Sequence, residues 1–335
     1  MLKYITLFLR RENSVEGTLY TSSCTSGSKN LNCNTNILKS YSRSSLHPRS
    51  IQPRSLASNF WKSLKVAYSL ISVLENMEIV PLEPSLEPLF WKTVSQDIPH
   101  YYFFAFNWKH RRDQTKILLA LDGDKIYGMM LIYGGEIVNL RGSIEAAKAL
   151  LEKLDLEKVE IQALEEHKPY ILEKYEPMAT HGMMVMLLRK GDEKLHIKHP
   201  VVGLDASDAE QIAAIMKAAD PEFWGDVTSQ SIIEGVNRGA KWFGIKIDGK
   251  LISVGNAWTT EWVSLIGIVA TSEKHRNMGY ATSVVSTIVK KFLTEHSSMI
   301  IFVRSENAPA IHVYEKVGFR QHRKYFFMRG IKRKF

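Results

Sequence analysis

The stretch HRNMGYAT, residues 275–282, decides how the rest of the chain is read. It follows VSLIGIVAT, residues 263–271, a β-branched run with the character of a buried strand. It leads into YATSVVSTIVKKFLTE, residues 280–295, whose apolar positions recur with a helical period. A strand that feeds a helix through a short turn brings unpaired main-chain N–H groups and the positive end of the helix dipole to one point, and such a point suits a diphosphate. Gly279 lets the main chain approach phosphates closely, Ala281 keeps the first helical turn narrow, and Arg276 adds a charge-assisted contact. Taken alone, a glycine in this kind of turn is more readily a plain capping residue.

Outward from that turn the second half of the chain reads as an ordered series. Upstream lie amphipathic helices at Ala206–Lys217 and Ser229–Asn237, then strands at Lys241–Ile247, Leu251–Trp258 and Val263–Thr271. Downstream come a buried strand at Met299–Val303, a helix at Ala308–Lys316, and a final hairpin expected to end near Arg329.

The same order occurs earlier. ILLALDGDKIYGMMLIYGGEIVNLRG, from Ile117, matches WFGIKIDGKLISVGNAWTTEWVSLIGIV, from Trp242, with an acidic-Gly hairpin signal in each. YILEKYEPMATHGMMVMLL, from Tyr170, parallels HVYEKVGFRQHRKYFFM, from His312. The expectation is two copies of one α+β domain, residues 77–193 and 194–335, joined near Gly191 to Pro200. A chain of 335 residues with 45% hydrophobic content is long enough for two such cores.

Residues 1–76 stand apart. They hold ten basic side chains against Glu12, Glu16 and Glu75, which accounts for +7 of the formal charge of +9. Lys332, Arg333 and Lys334 add to the other end, so the body between is close to neutral and argues against a nucleic-acid partner. The Ser-, Asn- and Arg-rich text to about residue 58 reads as a disordered or spurious extension with Met77 as the working start, and Phe60–Leu74 as a short helix. Both cysteines, Cys24 and Cys33, lie in this segment, so the remainder has no thiol for a disulfide, a metal site or a covalent acyl intermediate. No run approaches the ~20 apolar residues of a membrane-spanning helix. With no secretion signal, the expected location is cytoplasmic.

The pattern Arg-x-x-Gly-x-Ala at 276–281, after a buried strand ending Val269-Ala270-Thr271 and about 25 residues before NAPAIHVYEKVGF (307–319), resembles the acetyl-CoA-binding core of the GNAT superfamily of N-acetyltransferases. The resemblance covers about Leu204 to Phe327 and is nearest to the FR47-like branch. It implies an α+β, three-layer fold of two tandem GNAT-like domains, each a mixed, mostly antiparallel sheet flanked by helices. It implies acetyl-CoA as co-substrate, no metal, and an amine acceptor; a homodimer stays open.

Carried over by position, the resemblance gives Val269 and Thr271 main-chain pairing with pantetheine amides. Arg276, Asn277, Met278, Gly279, Tyr280, Ala281 and Thr282 would hold the pyrophosphate, and Asn307 the cofactor from the fifth strand's end. Tyr314 would be the general acid for the departing thiolate; its bland alternative is a packing aromatic. The amine would attack the thioester directly, with a main-chain N–H of the fourth strand at the oxyanion. Glu261 and then Glu222 are the candidate bases, each as readily a solvated carboxylate. Where relatives that acetylate protein N-termini carry a Glu on the fifth strand, this chain has Phe302. Trp224, Trp258 and Trp262 would wall an acceptor pocket or simply fill the core.

The first copy has Arg141 and Gly142 without the spaced motif, and Leu172 in the place of Tyr314. It is therefore expected to be degenerate and unable to bind CoA. The alternative to an enzyme is a CoA-sensing or protein-interaction module that keeps the fold; a third reading makes the basic tail a nucleic-acid contact.

Overall fold

Twelve strands join a single sheet in the computed structural model, which describes residues 77–334, with the side chains of Glu222 and Phe223 outside the description. The readings of residues 1–76 lie outside the described residues. Chain order runs β1 (Glu78–Pro81), α1 (Glu87–Val94), α2 (Ile98–His110), β2 (Thr115–Asp122), β3 (Lys125–Tyr133), β4 (Ile137–Gly142), α3 (Ile144–Glu152), β5 (Lys158–Ala163), α4 (Lys168–Lys174) and β6 (Tyr175–Arg189). It then repeats as β7 (Val202–Leu204), α5 (Ala209–Ala219), α6 (Pro221–Trp224), α7 (Ser229–Asn237), β8 (Lys241–Ile247), β9 (Lys250–Thr259), β10 (Ser264–Thr271), α8 (Tyr280–Phe292), β11 (Ser298–Arg304), α9 (Ala308–Val317) and β12 (Arg320–Lys332).

Local chemistry sets the hairpins. At Asp248-Gly249 both φ angles are positive, 47° and 77°, the two-residue turn whose twist matches its strands. The expected terminal hairpin is instead one strand, β12. It stays extended because both of its edges are occupied, by β6 along Arg320–Lys332 and by β5 along Phe326–Ile331. Gly330 makes no turn there; a Cβ on it would come within 2.9 Å of Glu176 O, so the residue serves close packing.

The sheet order is β1-β2-β3-β4-β5-β12-β6-β11-β10-β9-β8-β7. Read from either edge it gives strands one to five of one repeat, followed by the sixth strand of the other. The two sixth strands pair antiparallel at the centre. Neither repeat thus closes its own sheet, and β6 borders β11 of the second repeat as β12 borders β5 of the first.

Alternation along the strands splits the core between two faces. Met184, Met186 and Leu188 pack under α8 and α9 with Ile266 and Ile301, whereas Met183, Val185 and Leu187 pack under α1 and α2 with Tyr102, Phe103, Leu265 and Ile300. α3 and α4 cover β12 through Phe326 and Met328, and α5 to α7 cover β8 to β10 through Trp242, Val254 and Ile268. No helix among the described residues is long and apolar enough to cross a membrane.

Candidate functional site

β10 and β11 are parallel neighbours only from Ser264↔Met299 to Ile266↔Ile301. Beyond that point β10 runs on to Thr271 and β11 to Arg304 without pairing, so two adjacent parallel strands splay and leave main-chain groups of β10 unpaired on that side. A bulge starts the divergence: Gly267 and Ile268 together oppose Asn256 on β9. Asn256 is 1% exposed, and its Oδ1 accepts from the Ile268 N–H at 2.8 Å. A Cβ on Gly267 would stand 2.7 Å from that same oxygen, so glycine is what lets the amide reach the bulge. Sequence reasoning passed over Asn256, which carries no local signal of this role.

After β10 the chain makes a short helical turn, held by Ser272 Oγ against His275 Nδ1 at 2.7 Å, before entering α8. Asn277 and Gly279 both take left-handed conformations, φ 62° and 82°. Consecutive N–H groups in such a turn form a concave donor set for an anion. No side chain caps α8, and its first helical bond is Ser283 N–H to Gly279 O at 3.0 Å, so the N–H groups of Tyr280, Ala281 and Thr282 have no partner within the helix. Arg276, Asn277 and Met278 are exposed; Thr282 is buried. The structure brings these seven residues together at the open end of the splay, with Val269 and Thr271 on its β10 side.

Asn307 stands at the other rim, directly after β11. Its Oδ1 caps α9 by accepting from the Ala310 N–H at 3.2 Å, which leaves its Nδ2 protons out of that bond. Tyr314 lies on α9, 5% exposed, with its ring edge-on to Phe319. Burial pushes its phenol well above the ordinary tyrosine range, so at neutral pH it keeps its proton.

Glu261 is not brought to this end. It sits in the β9–β10 turn, and β10 then extends roughly 23 Å away from it at 3.3 Å per residue. Its carboxylate pairs with Lys109 Nζ at 3.0 Å and His110 Nε2 at 3.1 Å, both from α2. Partial burial pulls its carboxyl up, but its own main-chain N–H and the hydrogen bonds from Lys109 and His110 pull it further down, so it is held ionised and engaged. Glu222, on α6, lies outside the described side chains. Phe302 stacks on Phe103 at 4.9 Å, so the fifth strand presents an aromatic to α2 where a carboxylate was sought. Trp224 and Trp258 are core residues, and Trp262 packs against Trp91 at 5.7 Å.

The first repeat shows the same divergence with different contents. β4 and β5 pair from Ile137↔Glu160 to Asn139↔Gln162 and no further. Arg141, 1% exposed, fills the gap: Nη1 donates to Leu140 O at 2.9 Å and Gln162 O at 3.1 Å, Nη2 to Gln162 Oε1 at 2.5 Å, and the guanidinium lies 4.2 Å above the Tyr325 ring. Between β4 and α3 only Ser143 intervenes, and its hydroxyl accepts from the Ala146 N–H at 3.2 Å. Here the helix is capped by a side chain, and no loop stands before it.

Residues 247–328 match the family model described as FR47-like protein. Among solved structures, a GCN5-related N-acetyltransferase from Sphaerobacter thermophilus aligns at 12% identity over 78% of this chain and 97% of its own, with a TM-score of 0.56. A Drosophila protein aligns at 11% identity over 75% of this chain and 98% of its own, TM-score 0.55. No curated protein matches the sequence. At these identities the likeness is one of fold: the chain has the GNAT fold, a mixed and mostly antiparallel sheet flanked by helices, with an FR47-like segment at its C-terminal end.

Proposed function

We propose that a chain with this fold works as an acyl-CoA-dependent N-acyltransferase, moving an acetyl group from acetyl-CoA to a primary amine of a small molecule or peptide, with one CoA site per chain. The observation that carries the reading is the junction of an open splay, β10 from β11, with an uncapped helix N-terminus entered through a left-handed turn. The splay offers unpaired main-chain groups at Val269 and Thr271 to the two amides of a pantetheine arm. The donor set from Arg276 to Thr282 faces a diphosphate. Asn307 supplies its free amide protons from the opposite rim.

With the thioester held against β10, the amine nitrogen attacks its carbonyl carbon and the carbon–sulfur bond breaks as the amide forms. A main-chain N–H of β10 stabilises the oxyanion. That donor is one other than Ile268, whose N–H is taken by Asn256. Tyr314, kept protonated by burial, gives its proton to the leaving sulfur and is reprotonated from water. The proton shed by the amine goes to water or to Glu222, which we retain as candidate base; Glu261 we assign to the tie between the β9–β10 turn and α2.

The first repeat, residues 77–193, has no equivalent site in this reading, because Arg141 occupies its splay and Ser143 caps its helix. Its contribution is structural: β6 and α2 flank the second repeat's β11. Release of thiol from acetyl-CoA by the full chain, screened against polyamines, amino acids, aminoglycosides and short peptides, tests the proposal. Turnover with at least one amine class, lost in Gly279→Trp, is expected; CoA binding without turnover on any amine would favour a CoA-sensing module.

A further inference from the structure

The segment that joins the repeats packs on α8 and on the turn before it. Residues 190–201 leave β6, pass the end of α9, where Lys194 N–H donates to Val317 O at 2.8 Å, and cross α8. The crossing is fixed by two buried serines of α8: Ser286 Oγ accepts from the His196 N–H at 3.0 Å, and Ser283 Oγ from the N–H groups of Lys198 and His199 at 3.1 and 3.3 Å. This delivers His199 to the turn before α8. Its ring lies against Tyr280, centroids 4.2 Å apart, and its Nε2 is 2.9 Å from Met278 O.

That last contact sets the direction of a donor. In a trans peptide the carbonyl and the following N–H point to opposite sides of one plane. With Met278 O engaged by the Nε2–H of His199, the Gly279 N–H points the opposite way, and among the described residues no acceptor faces it. Met278 stands between the left-handed Asn277 and Gly279, and Gly279 has open space around it, the nearest atom to a built Cβ being His199 Nε2 at 3.9 Å. We infer that His199 is a positioning residue for CoA: by holding Met278 O it fixes the Gly279 N–H toward the diphosphate, so the inter-repeat linker is a working part of the cofactor site. The inference rests on the CoA-binding reading proposed above.

The test is calorimetric titration of full-length protein with CoA, comparing the native chain with His199→Phe, which keeps an aromatic face on Tyr280 and removes the donor, and His199→Gln, which restores a donor to the carbonyl. One hydrogen bond exchanged with water corresponds to roughly a two- to tenfold change in affinity. The expected result is a Kd raised by about that factor in His199→Phe and brought back to within about twofold in His199→Gln. If turnover is found, KM for acetyl-CoA moves with Kd while kcat holds, a split that general damage to the fold would not give. Native protein that binds CoA alongside a His199→Phe variant of equal affinity overturns this inference alone, as does equal loss in both variants. Native protein that binds no CoA overturns the CoA-binding reading and this inference with it.

Discussion

Replacing Gly279 separates the strain of its backbone from the space it leaves open. At φ 82° an L-residue pays for a left-handed conformation, about 1–2 kcal/mol, partly offset by about 0.4–1 kcal/mol of lost freedom in the unfolded chain. Among the described residues beyond its chain neighbours, no atom lies closer than 3.9 Å to a Cβ built there, so no clash adds to that figure. Gly279→Ala is therefore expected to lower unfolding free energy by about 1 kcal/mol in urea titrations. Gly123→Ala, in the β2–β3 turn at φ 55° with nothing within 4 Å of a built Cβ, is expected to lower it by a similar amount and serves as the control. The two diverge in calorimetry with CoA. Gly123→Ala keeps native affinity, Gly279→Ala loses roughly tenfold, equivalent to about 1.4 kcal/mol, and Gly279→Trp binds no measurable CoA while remaining folded. A Gly279→Trp variant with native affinity would refute the placement of the diphosphate.

Three further outcomes follow from the geometry. Tyr314→Phe keeps the buried ring and removes the proton, so kcat falls roughly a hundredfold with CoA affinity unchanged, measured by thiol release; an unaltered kcat would reduce the residue to packing. Glu261→Gln changes kcat less than about twofold and stability by under about 1 kcal/mol, because its ion pairs are half-exposed and remote from the splay. Stability falls on mild acidification: burial and then the Arg141 charge hold the His100 imidazole down to about 2, whereas the unfolded histidine titrates near 6.5. Its contribution is complete above about pH 6.5 and is lost as the pH drops, by up to about 1.4 kcal/mol per unit, so urea midpoints at pH 7 and 5 should differ and His100→Gln should reduce the difference, the remainder coming from His181 and His167, which burial also holds down.

How far the sequence reveals this molecule depends on the range of the forces involved. The turn at Asp248-Gly249 and the uncapped start of α8 are local, and their residue types announce them. The repeat is legible because strand order is carried by successive short patterns. The exchange of sixth strands is not, since β6 and β12 carry apolar residues on both faces and would pair equally with their own repeat's fifth strand. That also explains why the hairpin expected to end near Arg329 is one strand, since β12 stays extended along β6. Glu261 stood near the strand in sequence and proves to be at its far end, tied to residues some 150 positions earlier. His199 gives no signal at all in a linker whose path depends on two serines on one face of α8. The different contents of the first repeat's splay are partly legible, in the missing motif, but Arg141 fills that gap only with Gln162 and Tyr325 in place.

In the proposed function, two repeats of one fold yield one CoA site. The direct measurement is the stoichiometry of CoA binding to the full chain by calorimetry. One CoA per chain, abolished by Gly279→Trp and untouched by Arg141→Lys, is the result predicted; two sites of comparable affinity, or none, would contradict it.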